Sequence, residues 1–183
     1  MKKNINLCII FCSIFLFLMK WYQPFLNFDE NIDVRIIFES VSDGYYFYPL
    51  LKALSNFNLS YSFDPSIENL KTIVIPTGAF FLHFIFYLLM GSWSIVVLEF
   101  LFILLFLIIF YKIFRLLDFE RIESLALSIV LFTIPHFLQI LNLDNLNYFS
   151  VISFDLFTFR FPRPMVSNIF FFLFILFLFK INR

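Results

Sequence analysis

The sequence predicts an all-α protein: a polytopic transmembrane bundle of about five helices, with short juxtamembrane helices in its first outer loop. Three observations predict it. Of 183 residues, 62% are hydrophobic and only 14% charged, against about 45–50% and about 25% in ordinary soluble domains. The apolar residues fall in runs that reach or approach the roughly 20 needed to cross a bilayer core. Those runs also lack the alternation of barrel strands, so helices are the form that satisfies the backbone inside lipid. The composition excludes a soluble globular enzyme, a disordered tail and a secreted disulfide scaffold. With 13 Lys+Arg against 13 Asp+Glu the chain has zero formal net charge, so no overall basic field draws it to nucleic acid. Membrane lipid is the partner the composition itself implies.

The expected spans are 5–22, 73–90, 94–114, 122–140 and 165–179, within a single membrane domain covering residues 1–183. The first follows Lys2 and Lys3 and ends in Lys20-Trp21-Tyr22-Gln23-Pro24, with no small-residue cleavage site, so it reads as an uncleaved anchor. Trp21 and Tyr22 suit the interface, where amphipathic rings are favoured. The second opens with Ile75-Pro76-Thr77-Gly78 and closes at the turn Gly91-Ser92-Trp93, after which the third begins. The fourth contains Pro135. The fifth starts after Pro162 and Pro164, which stop any helix running into it.

Two polar segments separate the spans. Residues 23–72, the expected extracytoplasmic loop, hold seven acids and three bases. Within it, 29–41 has helical spacing of Ile32 and Ile36, and Arg35 can pair with Glu39 one turn on. Ser42-Asp43-Gly44 ends that helix. The aromatic stretch 45–54 is too short to cross and is expected to lie on the membrane surface. Residues 141–164 form the second, irregular loop.

Lys2 and Lys3 place the N-terminus in the cytoplasm, for which a plasma (inner) membrane is the expected setting. Counting five spans then puts Lys112, Arg115 and Arg121 outside, against the same rule. Either Asp118, Glu120 and Glu123 mute the signal, or one run is re-entrant; the second, with Pro76, Gly78 and His83, is the weakest span.

Chemistry is sparse. Asp29 and Glu30 stand just beyond the first span, where a carboxylate can serve as general base to an acceptor hydroxyl or amine; the residues alone favour the alternative, a solvated helix start. Arg160 and Arg163, framed by Pro162 and Pro164, present planar forks suited to a phosphate, or else snorkel and set topology. Glu99 is a carboxylate inside a span and a functional candidate by that fact alone, whereas His83 reads as a helix-packing residue. Cys8 and Cys12, one turn apart, read as apolar packing residues. No Walker loop, nucleophile elbow, zinc motif or dinucleotide fingerprint is present. No cofactor is expected, and a divalent metal has no motif behind it.

The order of these features resembles the N-terminal part of the GT-C glycosyltransferases, polytopic enzymes that include protein O-mannosyltransferases and the bacterial aminoarabinose transferase. Phe28-Asp29-Glu30 matches the acidic pair that opens the family's first outer loop. Ser42-Asp43-Gly44, Ile75-Pro76-Thr77-Gly78, Tyr111-Lys112-Ile113-Phe114-Arg115 and Ile134-Pro135-His136 follow in the family's order, over roughly residues 1–140. A single Pro76 stands where the family has two prolines. The resemblance implies transfer of a sugar from a polyprenyl-phosphate-linked donor at the outer face. Asp29, with Glu30, would be the base at the acceptor. Asp43 joins Arg160 and Arg163 as a substrate-binding candidate, the arginines on chemical grounds. Family members carry more spans, so the resemblance also implies a truncated, fragmentary or split member. Two alternatives remain: a non-enzymatic subunit or scaffold packing on a membrane partner protein, and a small transporter using Glu99 and His83.

Overall fold

The computed structural model describes residues 2–27, 44–58, 78–91, 93–140 and 165–181. Among these the protein is all-helical. The helices are α1 (Lys2–Asn27), α2 (Gly44–Ser55), α3 (Gly78–Met90), α4 (Trp93–Leu116), α5 (Arg121–Ile140) and α6 (Met165–Ile181). Of the five expected spans, α4 is long and apolar enough to cross a membrane. Its 24 residues extend about 36 Å at 1.5 Å per residue, against a hydrocarbon core of about 30 Å. Ile5–Lys20, Phe81–Met90 and Met165–Ile181 are apolar but shorter. The 13 described residues of α3 extend about 20 Å. The expected surface helix at 29–41 lies outside the described residues, whereas the stretch 45–54 is helical as α2.

The chain forms two compact units, Lys20–Glu99 and a second made of Met1–Met19 with Phe100–Arg183. In the first, α2 packs on α3: Leu50 and Leu51 are buried, with Leu54, Phe84 and Tyr87 against them. Helix α2 ends in a Schellman turn, in which the Phe57 N–H donates to Leu54 O (2.9 Å) and the Asn58 N–H to Ala53 O (2.9 Å). Phe57 carries the left-handed position, at φ 55°. The α3–α4 connection passes through Gly91 at φ +57°, where an added Cβ would meet nothing within 4 Å. Backbone conformation, not space, is what calls for glycine there.

The larger unit is built around aromatic rings. Phe106 of α4 lies with its centroid 5.3 Å from Phe132 of α5 and 6.0 Å from Phe172 of α6. Phe110 meets Phe172 edge-on at 4.8 Å. Such contacts add about 0.5–1.5 kcal/mol each beyond burial. Helix α1 contributes Ile9, Ser13 and Leu16, which recur on one face and are buried. The Ser13 and Ser128 hydroxyls donate to carbonyls one turn back, at 2.8 and 2.6 Å, so neither is orphaned by burial. The outer faces are apolar too. Leu7, Phe11, Phe15 and Leu18 on α1, and Phe170, Phe174 and Phe177 on α6, are 56–69% exposed.

The α4–α5 turn, also in this unit, is tightly determined. Asp118 takes the left-handed position (φ 67°), and the Phe119 N–H reaches back to Phe114 O (3.2 Å). The Phe114 and Phe119 rings meet edge-on at 5.8 Å, the apolar contact that accompanies a Schellman turn. Glu123 then caps α5, accepting the Glu120 N–H at 2.9 Å, which is the reciprocal half of a capping box.

Candidate functional site

The candidates Asp29, Glu30, Asp43, Arg160 and Arg163 all lie outside the described residues, as does the loop 141–164. Three described places carry polar chemistry.

In the Lys20–Glu99 unit, Lys20 and Glu99 form an ion pair, the lysine side chain 21% exposed and the carboxylate fully buried. The sequence marked Glu99 but not its partner. A signal was available: a carboxylate inside a span needs a cation, and Lys20 ends the apolar run of α1. Pairing removes the net charge from the site.

In the same unit the His83 Nε2 lies 3.1 Å from the Ser94 hydroxyl, tying α3 to α4 across their short connection. This is within reach for a base–nucleophile pair. Both residues are 0% exposed, however, so no substrate can approach the hydroxyl. The contact fastens a helical hairpin, as expected for His83.

The third place is a cavity of about 570 Å³ in the larger unit, lined at one end of its helices. Lys112 and Arg115 come from the end of α4, Arg121 from the start of α5, and Lys180 from the end of α6. Ile5 and Asn6, from the start of α1, close it. The helix directions are thereby fixed within the unit: α1 and α5 run away from the basic end, and α4 and α6 run toward it. The pairing of Phe17 with Phe100, centroids 5.8 Å apart, agrees with an antiparallel α1 and α4. Arg115 is held in place, its guanidinium donating to Phe119 O. The sequence read these cations singly, as topology signals, and missed their convergence.

Among the described residues no group of three or more His, Cys, Asp or Glu could hold a metal ion. The cysteines Cys8 and Cys12 are free thiols. No protein-family model, curated protein or solved structure matches the chain.

Proposed function

We propose that this chain is an integral membrane module of the GT-C type, transferring a sugar from a polyprenyl-phosphate-linked donor to an acceptor at the outer face of a plasma membrane. The observation that supports it is the basic end. Lys112, Arg115, Arg121 and Lys180 share that end with the start of α1, where Lys2 and Lys3 also stand. Cytoplasmic placement of this end satisfies the positive-inside rule at every one of these positions. The conflict met on counting five spans disappears if α3, at 13 residues, does not cross. Spanning α1 and α5 then both deliver the chain to the outer side. That puts 28–43, with Asp29, Glu30 and Asp43, on the same face as 141–164, with Arg160 and Arg163. A base for the acceptor and forks for the donor phosphate need that shared face.

The outward apolar residues of α1 and α6 fit the same setting, since soluble surfaces rarely carry such contiguous patches. A proton- or ion-coupled transporter is less well supported, because Glu99 is paired with Lys20.

The deciding assay is sugar transfer in membranes supplied with a polyprenyl-phosphate-linked sugar. Asp29→Asn is expected to lower transfer by about a hundredfold or more, the usual contribution of a general base. Replacing Arg160 and Arg163 with Gln should raise the donor requirement. Wild-type transfer by Asp29→Asn removes that residue from the mechanism; no transfer by the intact chain leaves the subunit reading, with a membrane partner protein.

A further inference from the structure

We propose that the cavity at the basic end binds the phosphodiester headgroup of an anionic membrane lipid from the cytoplasmic leaflet. This site does not depend on the proposed sugar chemistry, and its cytoplasmic placement rests on the same positive-inside reading. Among the described residues, four cations line the cavity, from α4, α5 and α6, and no carboxylate does. The nearest acids in sequence are not part of that lining. Glu123 accepts the Glu120 N–H to cap α5, while Asp118 and Glu120 are exposed and are not among the lining residues.

A cluster of positive groups at a membrane boundary attracts anionic headgroups, at about 1 kcal/mol per Lys or Arg. Positive-inside topology alone asks for cations near the interface, not for cations converging on a cavity. Here Arg115 already donates to Phe119 O, a bond that favours one orientation of its guanidinium.

The rest of the lining separates a lipid from a free anion. Tyr111 and Asn6 add neutral donors, and Ile5, Leu116 and Leu176 supply an apolar wall. Inorganic phosphate has no use for that wall, and a volume of about 570 Å³ far exceeds its size. A headgroup seated among the cations would lead its glycerol and first methylenes past Ile5 and Leu176. The neighbouring helix positions Leu7 and Phe177 are exposed apolar residues.

The test uses the full chain in nanodiscs of phosphatidylcholine containing a graded fraction of phosphatidylglycerol, with retained lipid counted by native mass spectrometry. Phosphatidylglycerol should be retained in preference to phosphatidylcholine. Lys112→Gln with Lys180→Gln should weaken retention roughly thirtyfold, two charges' worth. Arg121→Gln, a second variant on another helix, should weaken it several-fold. Lys52→Gln, which removes an exposed charge elsewhere, should leave it unchanged. Equal retention of the two lipids overturns the proposal, as does wild-type retention by both cavity variants. Displacement by millimolar inorganic phosphate overturns the lipid assignment in favour of a free anion.

Discussion

Lys20 and Glu99 are joined as an ion pair whose two ends differ in access to solvent: the lysine side chain is 21% exposed and the carboxylate is not exposed at all. That asymmetry makes a prediction about mutating either end. Lys20→Met leaves a carboxylate buried without its cation, a change that costs about 3–5 kcal/mol. Glu99→Gln leaves a lysine whose long stem can carry its head to water, so it should cost clearly less. The double variant Lys20→Met/Glu99→Gln should recover most of the loss. Unfolding in mixed detergent micelles measures all three; equal costs for the two single variants would show that the pair is not the buried anchor described here.

Much of the helical layout was readable from the chain, because strong local signals bound the elements. Pro162 and Pro164 predict a helix start just after them, and α6 runs from Met165. The turn at Gly91 ends α3, and α4 starts two residues later. Helix α1 departs from expectation by running on through Pro24 to Asn27; no sequence signal marks its end as clearly as a glycine would. Long-range pairing was not readable. The meeting of Lys20 with Glu99, or of Asn6 with Lys180 around one cavity, depends on which helix ends face each other, and apolar periodicity carries no such information. In helices that are apolar all round, the buried face is chosen by partner helices, not by contrast with water. The residues expected to do chemistry, Asp29 and Arg160 above all, lie outside the described residues, so their roles rest on sequence and topology.

Phe57 offers a stabilising substitution. A bulky side chain in the left-handed region costs roughly 1–2 kcal/mol that glycine avoids. Phe57 sits there at φ 55°, and its side chain is 90% exposed, so little packing is lost on removing it. Phe57→Gly is expected to raise stability by about 1 kcal/mol, partly offset by glycine's greater unfolded-state entropy. Gly91→Ala runs the other way. It forces a Cβ into φ +57° with open space around it, so a loss of about 1 kcal/mol reflects conformation alone. Opposite signs in thermal unfolding would support both assignments, and like signs would count against them.

The His83–Ser94 contact should show its burial in mutational cost. Ser94→Ala deprives a buried imidazole of its 3.1 Å partner, at about 1–3 kcal/mol. Ser55 provides the comparison, because its hydroxyl makes a still shorter bond, 2.7 Å to Lys52 O, at an exposed site. Ser55→Ala should stay within about 0.5 kcal/mol. If both alanine variants fell in that narrow range, the hydrogen bond would not be what fastens α3 to α4.

Cysteine chemistry tests the membrane orientation directly. Cys8 is a free thiol on an exposed position of α1, among the apolar residues Leu7 and Phe11. On a soluble surface such a thiol reacts at once with a charged maleimide. In a bilayer it is covered by lipid, so labelling of intact membranes should be slow and should become fast on adding detergent. With Cys8 and Cys12 replaced by Ser, single cysteines introduced at Phe57 and Asp118 then report the two sides. Both positions are exposed at the ends of helices, so each is accessible to reagent on whichever side it occupies. In sealed cells the cysteine at 57 should label and the one at 118 should not; in inverted vesicles the order should reverse. A cysteine at 118 that labels from outside would place Arg115 and Arg121 there as well. That result would break the positive-inside assignment and separate 28–43 from the face that the donor phosphate occupies. Labelling of both positions from one side would mean that α4 does not cross, although its 24 residues are enough to span a core of about 30 Å.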